Sequence, residues 1–185
     1  MATLSVRGNT NWSSSLYLDL TLTVTETKTD DSNNTSTVSY SCKAVQNGTV
    51  NYFGGTTRNN GGTVNFYING TKVASKVVPI QKQSGAGSIT HYNTSGTLNI
   101  PHNDDGSKTI TLQASVTKGS GNYTNDAYVW ASKSGSTNMT LTKLDLTKIR
   151  YKVDGVWKKV KAYIKVDGAW KKINKPRYKK SGAYK

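Results

Sequence analysis

A chain of 185 residues can bury the core of one sandwich-sized domain and carry an appendage, and its single cysteine, Cys42, excludes an internal disulfide or a thiolate metal cluster. No apolar run is long enough to span a bilayer and residues 1–11 hold no apolar signal core, so the sequence reads as a product made in a reducing cytoplasm. Of the formal net charge of +15, residues 148–185 carry 14 Lys/Arg against Asp154 and Asp167, a net of +12 that leaves only +3 for residues 1–147, so the back of the chain suggests either a negatively charged partner or a soluble cationic extension with no specific anion.

The rest of the composition, rich in Thr, Ser and Asn with 17 Gly, 3 Pro and no long helical stripe, points to an all-β chain with many turns. Leu16, Leu18, Leu20, Leu22 and Val24 alternate with Tyr17, Asp19, Thr21 and Thr23, which is a long half-buried strand closed by the polar knot from Thr29 to Asn34. A second strand places Val38, Tyr40, Cys42 and Ala44 on one face, making Cys42 a small core residue. Residues 46–49 read as a turn and Val50–Phe53 as a short strand. Gly54 to Gly62 follows as a loop whose Thr56, Thr57, Arg58, Asn59 and Asn60 can hydrogen-bond a sugar or serve as plain connection. Thr63–Ile68 and Lys72–Ile80 flank Asn69-Gly70, a hairpin signature, and Ser88–Ile100 is a longer strand after a polar linker. Pro101 to Ser107 is a turn by local chemistry, Lys108–Thr117 alternates Ile110, Leu112, Ala114 and Val116 inward, and strands are expected at Ala127–Ala131 and Asn138–Leu144. The expected fold is an immunoglobulin-like antiparallel β-sandwich over residues 1–147, followed by a small basic module over residues 148–185.

That module says nearly the same thing twice. Tyr151-Lys-Val-Asp-Gly-Val-Trp-Lys-Lys-Val160 recurs thirteen residues on as Ile164-Lys-Val-Asp-Gly-Ala-Trp-Lys-Lys-Ile173, each copy two alternating runs around Asp-Gly, so two tandem hairpins forming a four-strand meander are expected. With a two-residue type I′ loop, Val153 faces Val156, Tyr151 faces Lys158 and Ile149 faces Val160. Arg150, Lys152, Trp157 and Lys159 then share the other face, repeated as Tyr163, Lys165, Trp170 and Lys172. A G1 bulge at the glycine would move each Trp to the opposite face. The residues expected to meet a partner are Tyr151, Lys152, Trp157, Lys158, Tyr163, Lys165, Trp170 and Lys171. Residues 174–185 read as an extended tail.

Catalytic chemistry has little to stand on. His91 and His102 fall in no Ser/His/Asp elbow or metal-ligand spacing, His102 beside Asp104 and Asp105 reads as a turn, and none of Asp19, Glu26, Asp30, Asp31 and Asp126 stands out as a carboxylate pair. No enzyme, cofactor or metal is therefore expected. Tyr128 and Trp130 read as core, while Trp12 lies in a polar segment. The sequons at Asn34, Asn69 and Asn93 reflect an Asn/Thr-rich composition.

The run Asn33–Val38, the hairpin Ile68–Lys72 and above all Ile100–Ile110 resemble a module of virion proteins from siphophages that infect Gram-positive bacteria, and the Lys-Val-Asp-Gly-Val-Trp-Lys-Lys element is similar to short C-terminal repeats of phage structural proteins. The resemblance implies a virion component, tail-associated, assembled in the host cytoplasm, with other virion proteins and copies of itself as partners and no ligand residue carried over. Capsid decoration is the alternative location. A cell-wall adhesin gripping anionic glycan is the alternative function. Binding of nucleic acid by the tail is electrostatically permitted but comes with no base-reading motif, and no membrane partner is expected.

Overall fold

The computed structural model describes residues 1–10, 13, 15–49, 58–81, 87–119, 129–146, 150–154, 156–159, 163–173, 179–180 and 183–184. Eight strands build two antiparallel sheets: β1 (Ala2–Asn9), β2 (Tyr17–Asp30), β3 (Thr35–Asn47), β4 (Arg58–Ile68), β5 (Thr71–Ile80), β6 (Ser88–Pro101), β7 (Thr109–Lys118) and β8 (Lys133–Thr140). One sheet runs β1-β2-β3-β6 and the other β5-β4-β7-β8. Period-two alternation turns one row of each sheet inward: Leu18, Leu20, Leu22, Val24, Val38, Cys42 and Ala44 from the first meet Val64, Phe66, Ile68, Ile110, Leu112, Ala114 and Val116 from the second. The architecture is the β-sandwich expected. The second sheet follows the immunoglobulin order C′-C-F-G, whereas the first places the chain's third strand, β3, where an immunoglobulin domain places strand E.

Cys42 is fully buried, and burial pushes its thiol up to about 12, as befits a core residue. The Asn69-Gly70 hairpin forms as expected, with Asn69 at φ 50° and Gly70 at φ 81°, the left-handed pair of a type I′ turn, and Ile68 opposite Thr71. The structure adds a strand at the front of the chain and changes later expectations. The opening segment is a strand, because Leu4 and Val6 alternate into the core and β1 pairs with β2 along its whole length. The glycine loop ends early: Arg58 to Gly62 already belong to β4. The strand expected at Asn138–Leu144 begins at Lys133 and stops at Thr140, its Ser134-Gly135-Ser136-Thr137 stretch being recruited by pairing with β7 rather than by apolar pattern. Val50–Phe53 and residues 127–128 lie outside the described residues; of the strand expected at Ala127–Ala131, Val129 and Trp130 are buried, and Trp130 makes an isolated bridge to Thr10 in place of a strand.

The sandwich finishes its own core. After β8 the chain runs as a strap in which Leu141 and Leu144 are buried, Leu141 N–H donates to Lys108 O and Leu144 N–H to Gly106 O, both at 2.9 Å.

Beyond it lie β9 (Arg150–Val153), β10 (Val156–Lys159), β11 (Tyr163–Val166), β12 (Ala169–Lys172), β13 (Lys179–Lys180) and β14 (Ala183–Tyr184), arranged as three separate two-stranded sheets. Among the described residues no ladder joins β10 to β11, so the tandem repeat forms successive hairpins rather than a continuous meander. The last hairpin, β13–β14, replaces the extended tail the sequence suggested.

Candidate functional site

The Asp-Gly turns settle the register left open by sequence. Asp154 and Asp167 stand at φ 50° and 51° and Gly168 at 80°, while Val153 pairs with Val156 and Val166 with Ala169, so each loop has two residues and no bulge. Trp157 is therefore opposite Lys152, and Trp170 opposite Lys165. The pair Ile149 and Val160 lies outside the described residues.

In the first hairpin the backbone register sets Trp157 opposite Lys152 and Lys158 opposite Tyr151. In the second, Tyr163, Lys165 and Trp170 share one face, with Lys171 opposite Ile164 on the reverse. In the second hairpin Trp170 is 69% exposed and Tyr163 and Ile164 are each 51% exposed, an unusual amount of uncovered apolar surface on both sides of one small ribbon.

The third hairpin was missed by sequence reading because the sequence between its strands reads Ser-Gly instead of Asp-Gly. Its register repeats the others: Lys179 opposite Tyr184 and Lys180 opposite Ala183. The signal was present in Tyr178-Lys-Lys-Ser-Gly-Ala-Tyr-Lys185, which keeps the lysine, glycine, small residue, aromatic and lysine of the first copies in order.

On the sandwich, His102 has partners that spacing could not reveal. Its Nδ1–H donates to Gly106 O at 2.8 Å, which leaves Nε2 to accept the Ser36 hydroxyl at 2.8 Å. The pair has the form of a nucleophile and base, yet Ser36 and His102 are 1% and 8% exposed, so its work is to lock the Pro101–Ser107 turn against β3. Asn34 completes the lock, donating through Nδ2 to the carbonyls of His102 and Asn103 while its backbone carbonyl accepts His102 N–H. Glu26 reaches the strap through Oε2, which accepts the Thr142 N–H (2.9 Å) and hydroxyl (2.7 Å). Burial works against the charge of Glu26, but the Ser36 hydroxyl beside it and the two Thr142 donors outweigh that and hold the carboxyl below its ordinary value. The Ser36 bond itself is made to His102, and Glu26 Oε1 has no partner of bonding geometry, so the Thr142 donors carry the effect.

His91 is also held by the fold. Gln46, fully buried, pairs with the Gln81 backbone through both amide atoms (2.8 and 3.0 Å), so its Oε1 accepts from His91 Nε2–H at 3.0 Å. Burial lowers the His91 pKa. A folded-state pKa below the unfolded one means that protonation favours the unfolded chain, for His91 as for Glu26. Thermal stability is expected to hold above pH 6.5, to decline as pH falls below the ordinary His91 value of 6.5, and to decline again below the ordinary Glu26 value of 4.5. Melting temperature against pH checks this: His91→Gln, which can still donate to Gln46, should erase the first decline and keep the second.

Among the described residues no group of three His, Cys, Asp or Glu side chains could hold a metal ion. The outer face of the second sheet carries a shallow depression of about 350 Å³ lined by Tyr67, Gln113, Ser115, Ser134 and Ser136, with the Lys72 ammonium 5.6 Å from the Tyr67 ring centre. The sugar-binding residues suggested at Thr56 and Thr57 lie outside the described residues.

No protein-family model matches the chain, and no curated protein matches it significantly. Among solved structures it is similar to the solution NMR structure of the CARDB domain of a Pyrococcus furiosus protein, at 17% identity and a TM-score of 0.27, over 63% of this chain and 92% of that one.

Proposed function

We propose that this chain is a non-enzymatic structural protein of a bacteriophage particle, tail-associated, with its sandwich displayed at the surface and its basic C-terminal hairpins as the attachment part. One contrast carries the reading. The sandwich closes its core through Leu144 and needs no partner, whereas the hairpins leave Trp170, Tyr163 and Ile164 in water. A two-stranded hairpin is marginal alone, and exposed aromatics among lysines are covered most favourably by an acidic protein surface. The resemblance of residues 33–38, 68–72 and 100–110 to siphophage virion modules supplies the setting.

Truncation after Leu146 tests it. The shortened protein should remain folded and soluble, because the strap is intact, and should no longer join particles. Incorporation at the full-length level would overturn the attachment role. Location on the tail rather than on the head is checked by electron microscopy with a label on Met1, a label on the head placing the chain as a decoration protein. A second reading, a wall-glycan adhesin, is favoured by one observation, the Tyr67 depression, whose single ring amid hydroxyls and an amide suits a sugar. Host-wall binding retained by the truncated protein would select that reading.

A further inference from the structure

We infer that residues 150–185 form a three-valent docking array, each valence a hairpin with an aromatic residue opposite a lysine, and that the array takes an acidic protein surface repeated on the particle. The inference rests on the proposed attachment role and adds its valence and its partner. Three pairs occupy the same place in three hairpins: Lys152 with Trp157, Lys165 with Trp170 and Lys179 with Tyr184. One step nearer each turn stand Val153 with Val156, Val166 with Ala169 and Lys180 with Ala183. The lysines recur at intervals of 13 and 14 residues, and a unit repeated at near-constant spacing suits a partner that is itself repeated.

Charge and exposure together select the partner's chemistry. Residues 150–185 hold 13 Lys/Arg against two Asp, so the partner carries carboxylates or phosphates. A linear polyphosphate would satisfy Lys165 and Lys172 on the Trp170 face and Lys171 on the other side, and would leave the apolar groups of that other side wet. Ile164, half exposed, and Ala169 lie on that other side. A protein cleft, or partner strands added along the ribbon's open edges, covers both sides at once. An acidic protein is therefore the occupant that uses every exposed group.

Linked weak sites add avidity through effective concentration, so loss of one valence should weaken binding by about tenfold or more and loss of all three should abolish it. The full chain carrying Trp157→Ala, Trp170→Ala or Tyr184→Ala, singly and together, is sedimented with particles assembled without it, circular dichroism confirming the sandwich in each case. Comparable losses from the three single variants are expected. If Tyr184→Ala binds as wild type while the two Trp variants lose affinity, the array has two valences and the inference fails while attachment stands; if the triple variant binds as wild type, the attachment reading fails as well. Ile164→Ser separates the partners: it should weaken particle binding and leave retention on immobilised inorganic polyphosphate unchanged. Unchanged particle binding would instead assign the array to a polyanion on its cationic face and overturn the protein partner.

Discussion

Trp130→Ala is expected to destabilise the sandwich by about 3–5 kcal/mol, the range for truncating a large buried aromatic. The upper end is favoured by what surrounds the ring. Trp130 is fully buried, its indole N–H donates to Pro79 O at 3.3 Å, and its backbone N–H donates to Gly61 O at 2.9 Å. The ring lies over Gly62, where an added Cβ would come within 3.3 Å of Cδ1 and 2.8 Å of Thr117 O. Gly62 has no side chain of its own to fill the space left beside it. Trp130→Phe, which keeps most of the area and removes the bond to the Pro79 carbonyl, should cost about 1–3 kcal/mol. Urea unfolding followed by circular dichroism measures both. A Trp130→Ala loss below about 1 kcal/mol would mean that the ring is not the keystone its burial indicates.

Gly106→Ala is the second large effect, expected at about 2–4 kcal/mol from backbone strain together with broken hydrogen bonds. Gly106 sits at φ 79°, and an added Cβ would collide with the Leu144 carbonyl. Relief requires the strap to move, yet Gly106 O accepts both Leu144 N–H (2.9 Å) and His102 Nδ1–H (2.8 Å), so a shift breaks the strap and the turn lock together. Gly70 is the matched control: its φ is 81° with nothing within 4 Å of the added atom, so Gly70→Ala should show the backbone cost alone, about 1–2 kcal/mol. Equal losses for the two variants would show that the strap contributes little at Gly106.

The elements legible in the sequence were those in which local chemistry and burial agree. β2 alternates strictly from Tyr17 to Thr25, and Asn69-Gly70 and the two Asp-Gly dipeptides dictate their own turns, so strand, hairpin and register follow from a few residues. β1 and β8 were harder for opposite reasons. Leu4 and Val6 give only two inward apolar positions before the polar stretch, and Ser134 to Thr137 have none, their strand arising from the ladder to β7. In the candidate site, spacing revealed two repeats but not the third, because Ser181 replaces the aspartate that marks the turn. The lock joining Ser36 to His102 spans 66 residues and the Glu26 contact with Thr142 spans 116, distances at which a single sequence carries no signal.

The strap also has a mechanical consequence. If the hairpins hold the particle, any pull on the displayed sandwich enters at residue 146 and meets the strap first. There it is resisted by Leu141 N–H on Lys108 O, Leu144 N–H on Gly106 O, Thr142 on Glu26 and Asp145 N–H on Asp31. Two of these anchors belong to the β6–β7 connection and two to the far end of β2 and its turn. Tension is thus shared between both sheets before it reaches β8, an edge strand that would otherwise be peeled from β7 one rung at a time.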